Sequence, residues 1–503
     1  MRHRLDLLWR AAETPDAPAI ETREVTWGFR ELADRASRAG SFLSNRAAQD
    51  GSPIALLMPS DERFVAWFHA VKLTGRPVMP LNTRLTAGEL AQQLCDARAT
   101  CLVSDVADDR IAALSGLVPR LEIVVAPDLA SLPDSPSGKT GERRGVAGET
   151  RGSGIDDSAI VCAVIFTSGT TGRSKGACLT RANFTASAVA AAERLGPAVA
   201  GRWLACMPLF HVGGLSMLVR SVIFGGPVRL LPRFDAALVS DALDAGDVDA
   251  VSLVPTMLSR LLAHRGARRA PPGLRVLLLG GASASPDLLT RACALGYPVC
   301  PTYGLTEATS QVATAAPPEP GAALPAPVRP LAGVEVRIVD DAREVAPGEP
   351  GEILVRGATV TSGYLNDAAA TSRAIRDGWL HTGDIGFVDF AGALHVLDRR
   401  DDLVVSGGEN VYPAEVEAVL LGHPSVADAG VAGLPDADLG ARLIAWIVVS
   451  ETAVADAAAL DAHCRRQLAG FKRPREFRFV EGLPRNAAGK LQRRDLAGLA
   501  FSR

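Results

Sequence analysis

Hydroxyl, glycine and lysine residues crowd together at Phe166-Thr167-Ser168-Gly169-Thr170-Thr171-Gly172-Arg173-Ser174-Lys175-Gly176. Glycines such as Gly169 and Gly172 let a loop fold back with its N–H groups turned outward. The hydroxyls of Thr167, Ser168, Thr170 and Thr171 add donors, and Lys175 brings a mobile positive charge. That chemistry suits the grip of a polyphosphate. The common phosphate loop of nucleotide hydrolases needs glycine five residues after the first glycine and a hydroxyl residue after the lysine. Here those positions hold Ser174 and Gly176. The plainer alternative is a flexible polar surface turn, and the motifs that follow count further against it.

Further clusters accompany this loop. Leu277-Leu278-Leu279-Gly280-Gly281-Ala282 sets two glycines at the end of an apolar run, where ligands bind in open α/β sheets and a flat base can approach closely. In Tyr303-Gly304-Leu305-Thr306-Glu307 the ring can stack on a purine and the Thr306 hydroxyl can bond a phosphoryl oxygen. The Glu307 carboxylate can hold Mg²⁺ beside phosphates. The plainer alternative is a core tyrosine with a helix-capping pair. Asp384, in Thr382-Gly383-Asp384, can accept hydrogen bonds from ribose hydroxyls. His211, in Pro208-Leu209-Phe210-His211-Val212-Gly213-Gly214, follows a strand, where a histidine is more often a satisfied core residue than a catalyst. In the run Asp398-Arg399-Arg400-Asp401-Asp402, Arg400 and Asp402 read as a solvated face.

These motifs, in this order, resemble the adenylate-forming superfamily: acyl- and aryl-CoA ligases, peptide-synthetase adenylation domains and beetle luciferases. The superfamily's loop reads T-S-G-T-T-G-x-P-K-G, and this chain departs from it once, with Ser174 for proline. Tyr303 to Glu307 matches Y-G-x-T-E, Thr382 to Asp384 matches T-G-D, and Pro484 to Lys490 matches P-x-x-x-x-G-K. The resemblance implies that Arg399 contacts phosphate or ribose and that Asp401 is the pivot of a rotating C-terminal domain. It further implies that the loop bearing Gly407 and Gly408 lines a pantetheine tunnel and that His211 lies between that tunnel and the acyl pocket. Lys490 would reach the phosphate held by Lys175 and stabilise charge as an acyl-adenylate forms. Implied reactants are a small carboxylic acid, ATP with Mg²⁺, and coenzyme A as substrate.

A narrower likeness, to the o-succinylbenzoate–CoA ligases of menaquinone biosynthesis, rests on Pro208 to Ser216, Ser252 to Thr256, Leu278 to Ala282 and Val396 to Pro413. Gly213, Gly214, Gly280 and Gly281 suit a flat aromatic acid, while His211, Ser216 and Thr306 offer polar contacts to a second carboxylate or ketone. Other readings share the motifs: another aryl- or fatty-acyl-CoA ligase, a stand-alone adenylation enzyme loading a carrier protein, or a luciferase-like oxygenase. A catalytically dead binding protein conflicts with the joint presence of Lys175, Thr306, Glu307, Asp384, Arg399 and Lys490.

The elements that must position these groups alternate. Apolar helices expected at Phe29 to Leu43 and Phe64 to Leu73 flank short buried strands at Pro53 to Met58 and Pro77 to Leu81, the rhythm of a parallel sheet covered by helices. The resemblance implies an α/β fold with two sheet subdomains and a β-barrel-like subdomain within residues 1–398. A small mobile α+β domain at 399–503 would follow, and composition marks 131–157 as a mobile loop. A net charge of −3 without basic blocks excludes nucleic acid as a main partner. Eight cysteines without a C-x-x-C pair suggest neither zinc nor disulfides. No apolar run is long enough to span a membrane. A cytoplasmic enzyme is expected, and a homodimer is compatible with it.

Overall fold

The computed structural model describes residues 5–48, 50–105, 109–134, 159–167, 174–319, 321–340, 343–399, 402, 404–406, 409–436, 439–450, 454, 456–468, 470–486 and 489–501. Nearly all of the expected 131–157 loop lies outside these residues.

Two large sheets form from short runs, several of them buried throughout. The first runs in the order Glu122–Val125, Cys101–Ser104, Ile54–Leu57, Val78–Pro80, Val161–Thr167, Lys175–Thr180. Its pairings are parallel until the last, where Val161–Thr167 and Lys175–Thr180 form an antiparallel pair. The second sheet has nine strands, and its parallel centre includes Val299–Leu305, Val276–Leu279, Ala250–Leu253 and Trp203–Ala205. Every residue of Ile54–Leu57, Ala250–Leu253 and Val276–Leu279 is buried. Strands covered on both faces must be continuously apolar, which is why no alternation marks them in the sequence.

The covering helices start where side chains satisfy their first N–H groups. Asp61 accepts from the Phe64 N–H ahead of Glu62–Leu73, and Thr86 with Glu89 makes a capping box ahead of Ala87–Ala97. The pair Phe29–Ser44 and Glu62–Leu73 matches the expected helices to within two residues. One core cluster holds Trp67 and Ile165 from the first unit together with Trp203 and Leu218 from the second. The two sheets therefore share an interior.

The strands between Val334 and Arg399 form an antiparallel sheet in the order Arg343–Glu344, Val334–Asp340, Gly351–Gly357, Trp379–Val388, Ile375–Arg376, with Leu394–Arg399 also on Trp379–Val388. Among the described residues these pairings do not close into a ring, so the barrel-like unit is an open sheet. Beyond it stands a three-stranded sheet, Val426–Asp436, Gly440–Val449 and Glu476–Phe479, covered by helices Pro413–Leu421 and Ala457–Gln467. None of the core clusters mixes residues from the two sides of position 400.

Candidate active site

Thr167 ends one strand and Lys175 begins the next, and the two are register partners, so the hairpin presents both ends of the phosphate loop at one place. Ser168, Gly169, Thr170, Thr171 and Gly172 lie outside the described residues. The Lys175 ammonium stands 5.4 Å from the centre of the Tyr364 ring. The Tyr364 hydroxyl donates to Glu307 Oε1 at 2.9 Å. Cation, ring and carboxylate thus form a row. Backbone bonds fix Tyr364 there: the Leu365 N–H donates to the Gly176 carbonyl, and the Cys178 N–H to Gly363.

Tyr364 was absent from the sequence reading. Its only signals were its scarcity and its place after Gly363: the chain has four tyrosines, and Tyr303 and Tyr364 both stand in this site.

Glu307 lies in a single turn of 3₁₀ helix, Thr306–Ala308, just after Val299–Leu305. Its backbone is held by the Thr361 N–H, which donates to the Glu307 carbonyl at 2.7 Å. Thr309 and Ser310 follow with φ of 52° and 89°. Such backbone is costly for residues with a Cβ and persists only where the surroundings impose it. Here the Thr309 hydroxyl donates to the Thr359 carbonyl and the Ser187 hydroxyl to the Thr309 carbonyl, both at 2.7 Å. The strain therefore sits directly behind Glu307. Gly304 serves the same turn, because a Cβ there would collide with the Ser310 carbonyl oxygen.

Tyr303 and Asp384 meet through a hydrogen bond of 2.6 Å from phenol to carboxylate. This bond ties the second large sheet to strand Trp379–Val388 and orients a carboxylate that is 8% exposed. Arg399 is the register partner of Asp384 on Leu394–Arg399. Only its backbone is described, and Asp401, Gly407 and Gly408 lie outside the described residues.

A buried chain of hydrogen bonds braces Tyr303 from below. Arg220 Nη2 donates to Gln311 Oε1, Gln311 Nε2 donates to the Thr314 hydroxyl at 2.8 Å, and the Thr314 and Thr302 hydroxyls share a bond of 2.8 Å. Burial pushes the Arg220 guanidinium down to about 10, so it remains a cation at neutral pH. The Thr302 methyl packs under Gly280, where a Cβ would stand only 2.7 Å from it. Gly281 and Ala282 continue this rim and are exposed.

His211 precedes helix Val212–Phe224, and its Nε2 is buried with no hydrogen-bond partner among the described residues. A buried polar atom without a partner calls for a ligand or a water. Burial, with the charge of Arg84 next in effect, pushes His211 down to about 4. The ring is therefore neutral at neutral pH. Ser216 is buried, and its hydroxyl donates to the Val212 carbonyl of its own helix at 2.7 Å.

Lys490 is reached from the other side. Its N–H donates to Asn486 Oδ1 at 2.9 Å, and the neighbouring Gly489 lies against Val254 and Thr256 of the large unit. Lys490 thus approaches the end of strand Ala250–Leu253, next to the Gly280–Gly281 rim.

For Mg²⁺ the donor set fits. Among the described residues no group of three or more His, Cys, Asp or Glu could cage a metal. One carboxylate, with phosphate oxygens supplied by substrate, is the usual protein share of a Mg²⁺ site. Glu307, with one oxygen steadied by Tyr364, provides it. A surface cleft of about 450 Å³ bordered by Asp16, Arg30, Glu31 and Arg35 lies apart from all of these residues.

Residues 7–365 match the AMP-binding enzyme family and residues 415–490 match the AMP-binding enzyme C-terminal domain. The chain belongs to this family. It is 39% identical over 493 residues to a 2-succinylbenzoate–CoA ligase of Bacillus cereus, covering 98% of each chain. It is 41% identical over 490 residues to that of Geobacillus kaustophilus, covering 97% of this chain and 96% of the relative. The O-succinylbenzoate coenzyme A synthetase of Bacillus subtilis, solved with the acyl-adenylate intermediate OSB-AMP, superposes with a TM-score of 0.84 at 34% identity over 99% of this chain and 98% of that one. Its complex with ATP and magnesium ion also gives 0.84, at 36% identity over 98% of each chain, whereas a double mutant bound with the product analogue OSB-NCoA gives 0.69, at 35% identity over 99% and 98%.

Tyr364→Phe keeps the ring beneath Lys175 and removes the bond to Glu307. A hydrogen bond to a charged group contributes about 1.5–3 kcal/mol, so kcat/KM for MgATP should fall roughly 10- to 100-fold. An unchanged value in steady-state kinetics would show that Glu307 does not depend on Tyr364.

The His211 shift has a definite sign. In the unfolded chain the ring takes up a proton near 6.5, whereas the folded protein resists until about 4. Acid therefore favours unfolding between those values, and the stability gained by keeping the ring neutral is complete only above the upper one. Urea unfolding of His211→Gln should show a shallower loss of stability than wild type across that window. Equal slopes would contradict the assignment.

Proposed function

We propose that the protein is an ATP-dependent acid–CoA ligase that works through an acyl-adenylate, with 2-succinylbenzoate as its acid and menaquinone biosynthesis as its setting. The observation that carries this reading is the near full-length identity to 2-succinylbenzoate–CoA ligases. The charged site described above accompanies it.

The chemistry divides into two displacements. In the first, a carboxylate oxygen attacks the α-phosphorus of ATP, the bond to the bridging oxygen breaks, and pyrophosphate leaves. The phosphate loop with Thr167 and Lys175 holds the polyphosphate, and Thr306 bonds the α-phosphate. Asp384, set by Tyr303, binds the ribose hydroxyls with Arg399 beside it. Glu307 would hold Mg²⁺, which when bound would offset charge on the phosphates. Lys490 offsets the charge that builds between carboxylate and α-phosphate. In the second displacement the thiolate of coenzyme A attacks the acyl carbon and AMP leaves. Residues 1–398 and 399–503 act as two bodies, with Asp401 as the pivot and the loop of Gly407 and Gly408 lining the thiol's route. The lower TM-score against the OSB-NCoA complex, at nearly the same identity, is what a different arrangement of the two bodies would produce.

Co-substrates of this kind place the enzyme in the cytoplasm, to be checked by cell fractionation. A homodimer is to be checked by sedimentation. Among the described residues no helix is long and apolar enough to cross a membrane.

The deciding experiment is a panel of acids given to the purified protein with ATP, Mg²⁺ and coenzyme A. A site that pairs polar groups with a second carboxylate rejects acids lacking one, so 2-succinylbenzoate should exceed benzoate and octanoate in kcat/KM by on the order of 100-fold or more. Equal turnover of the three would remove the acid assignment and leave only a general ligase.

A further inference from the structure

Val254 stands where the pocket rim and the lysine loop come together. It follows strand Ala250–Leu253, precedes helix Pro255–Arg265 and is 2% exposed. Its two methyl groups face different bodies. A Cβ on Gly281 would lie 3.1 Å from Val254 Cγ1. A Cβ on Gly489 would lie 3.3 Å from Val254 Cγ2 and 3.5 Å from Thr256 Oγ1. One isopropyl group therefore separates the glycine rim from the residue that precedes Lys490.

Hydrogen bonds join the described residues of the loop that meets it. Arg485 grips Asp428 through Nε at 3.1 Å and Nη2 at 2.7 Å, and its Nη1 donates to the Gly489 carbonyl at 2.8 Å. Asn486 closes the turn: its N–H donates to the Lys490 carbonyl and its own carbonyl accepts from the Gly489 N–H, both at 2.9 Å. Gly489 takes φ of 79° to make this possible. A glycine held in this way that meets a buried side chain stops at a depth set by that side chain's bulk, since close-packed groups do not interpenetrate.

We propose that Val254 is a positioning residue for adenylate formation, the seat on which the Lys490 loop comes to rest. It acts through Gly489 on the reach of the Lys490 ammonium. The inference rests on the acid–CoA ligase reading. It assigns Val254 to the first displacement alone, since the thiol step does not need Lys490 at the phosphate.

A double-mutant cycle tests it, reading ATP–pyrophosphate exchange with 2-succinylbenzoate and, separately, thioester formation from supplied acyl-adenylate and coenzyme A. Gly489→Ala puts a methyl against Val254 at positive φ and should lower exchange roughly 10-fold or more. Val254→Ala lets the loop settle too deep and should lower exchange several-fold. Combined, the vacated space admits the new methyl, so the double variant should exchange faster than Gly489→Ala alone. Thioester formation should stay near wild type in all three, which also reports that they fold. Simple multiplication of the two single losses, or equal loss in both half-reactions, overturns the seat. No exchange by wild type would instead overturn the ligase reading on which it rests.

Discussion

A carboxylate must be brought against the α-phosphate of ATP, and Coulomb repulsion between the two anions is the constraint under which this site is assembled. In the proposed reading four charged groups answer to it. Lys175 stands at the end of the phosphate loop, its ammonium over the Tyr364 ring. Glu307, an anion among anions, would hold a cation, and Tyr364 steadies its carboxylate. Asp384, held by the Tyr303 phenol, would take the sugar. Lys490 would come from the C-terminal unit, so its field at the reacting atoms would depend on how that unit is seated.

The fold meets the constraint by division of labour. Rigid parallel strands deliver glycines and hydroxyls to one crevice, and their continuous burial keeps the rims from shifting. Behind Glu307 the backbone strain sits at Thr309 and Ser310, where buried hydrogen bonds from Ser187 and to Thr359 hold it. The buried Arg220 chain links the helix that starts beside His211 to the strand that carries Tyr303. The helix after His211 and the strand of Tyr303 thus share one support.

Much of this was legible in the sequence, because residue types at fixed local spacing carry it. Lys175, Glu307 and Asp384 each sit inside a short motif, and buried strands announced themselves as apolar runs. What escaped depends on contacts through space. Tyr364 lies 57 residues from the Glu307 it bonds, and no periodicity connects them. Whether the sheet containing Val334–Asp340 and Trp379–Val388 closes into a barrel depends on strand pairing, which apolar runs do not encode. Gly304 was assigned to the nucleotide, while the structure shows that it also makes room for the Ser310 carbonyl.

The central claim is that charge from Lys490 is needed where two anions meet and nowhere later. Lys490→Ala, assayed in both half-reactions, addresses it most directly. ATP–pyrophosphate exchange should fall by on the order of 100-fold or more, the usual effect of removing a preorganised charge from a transition state. Conversion of supplied acyl-adenylate and coenzyme A to thioester should stay within about 3-fold of wild type, since a group absent from a step changes its barrier little. Equal losses in the two half-reactions, or undiminished exchange, would contradict the account.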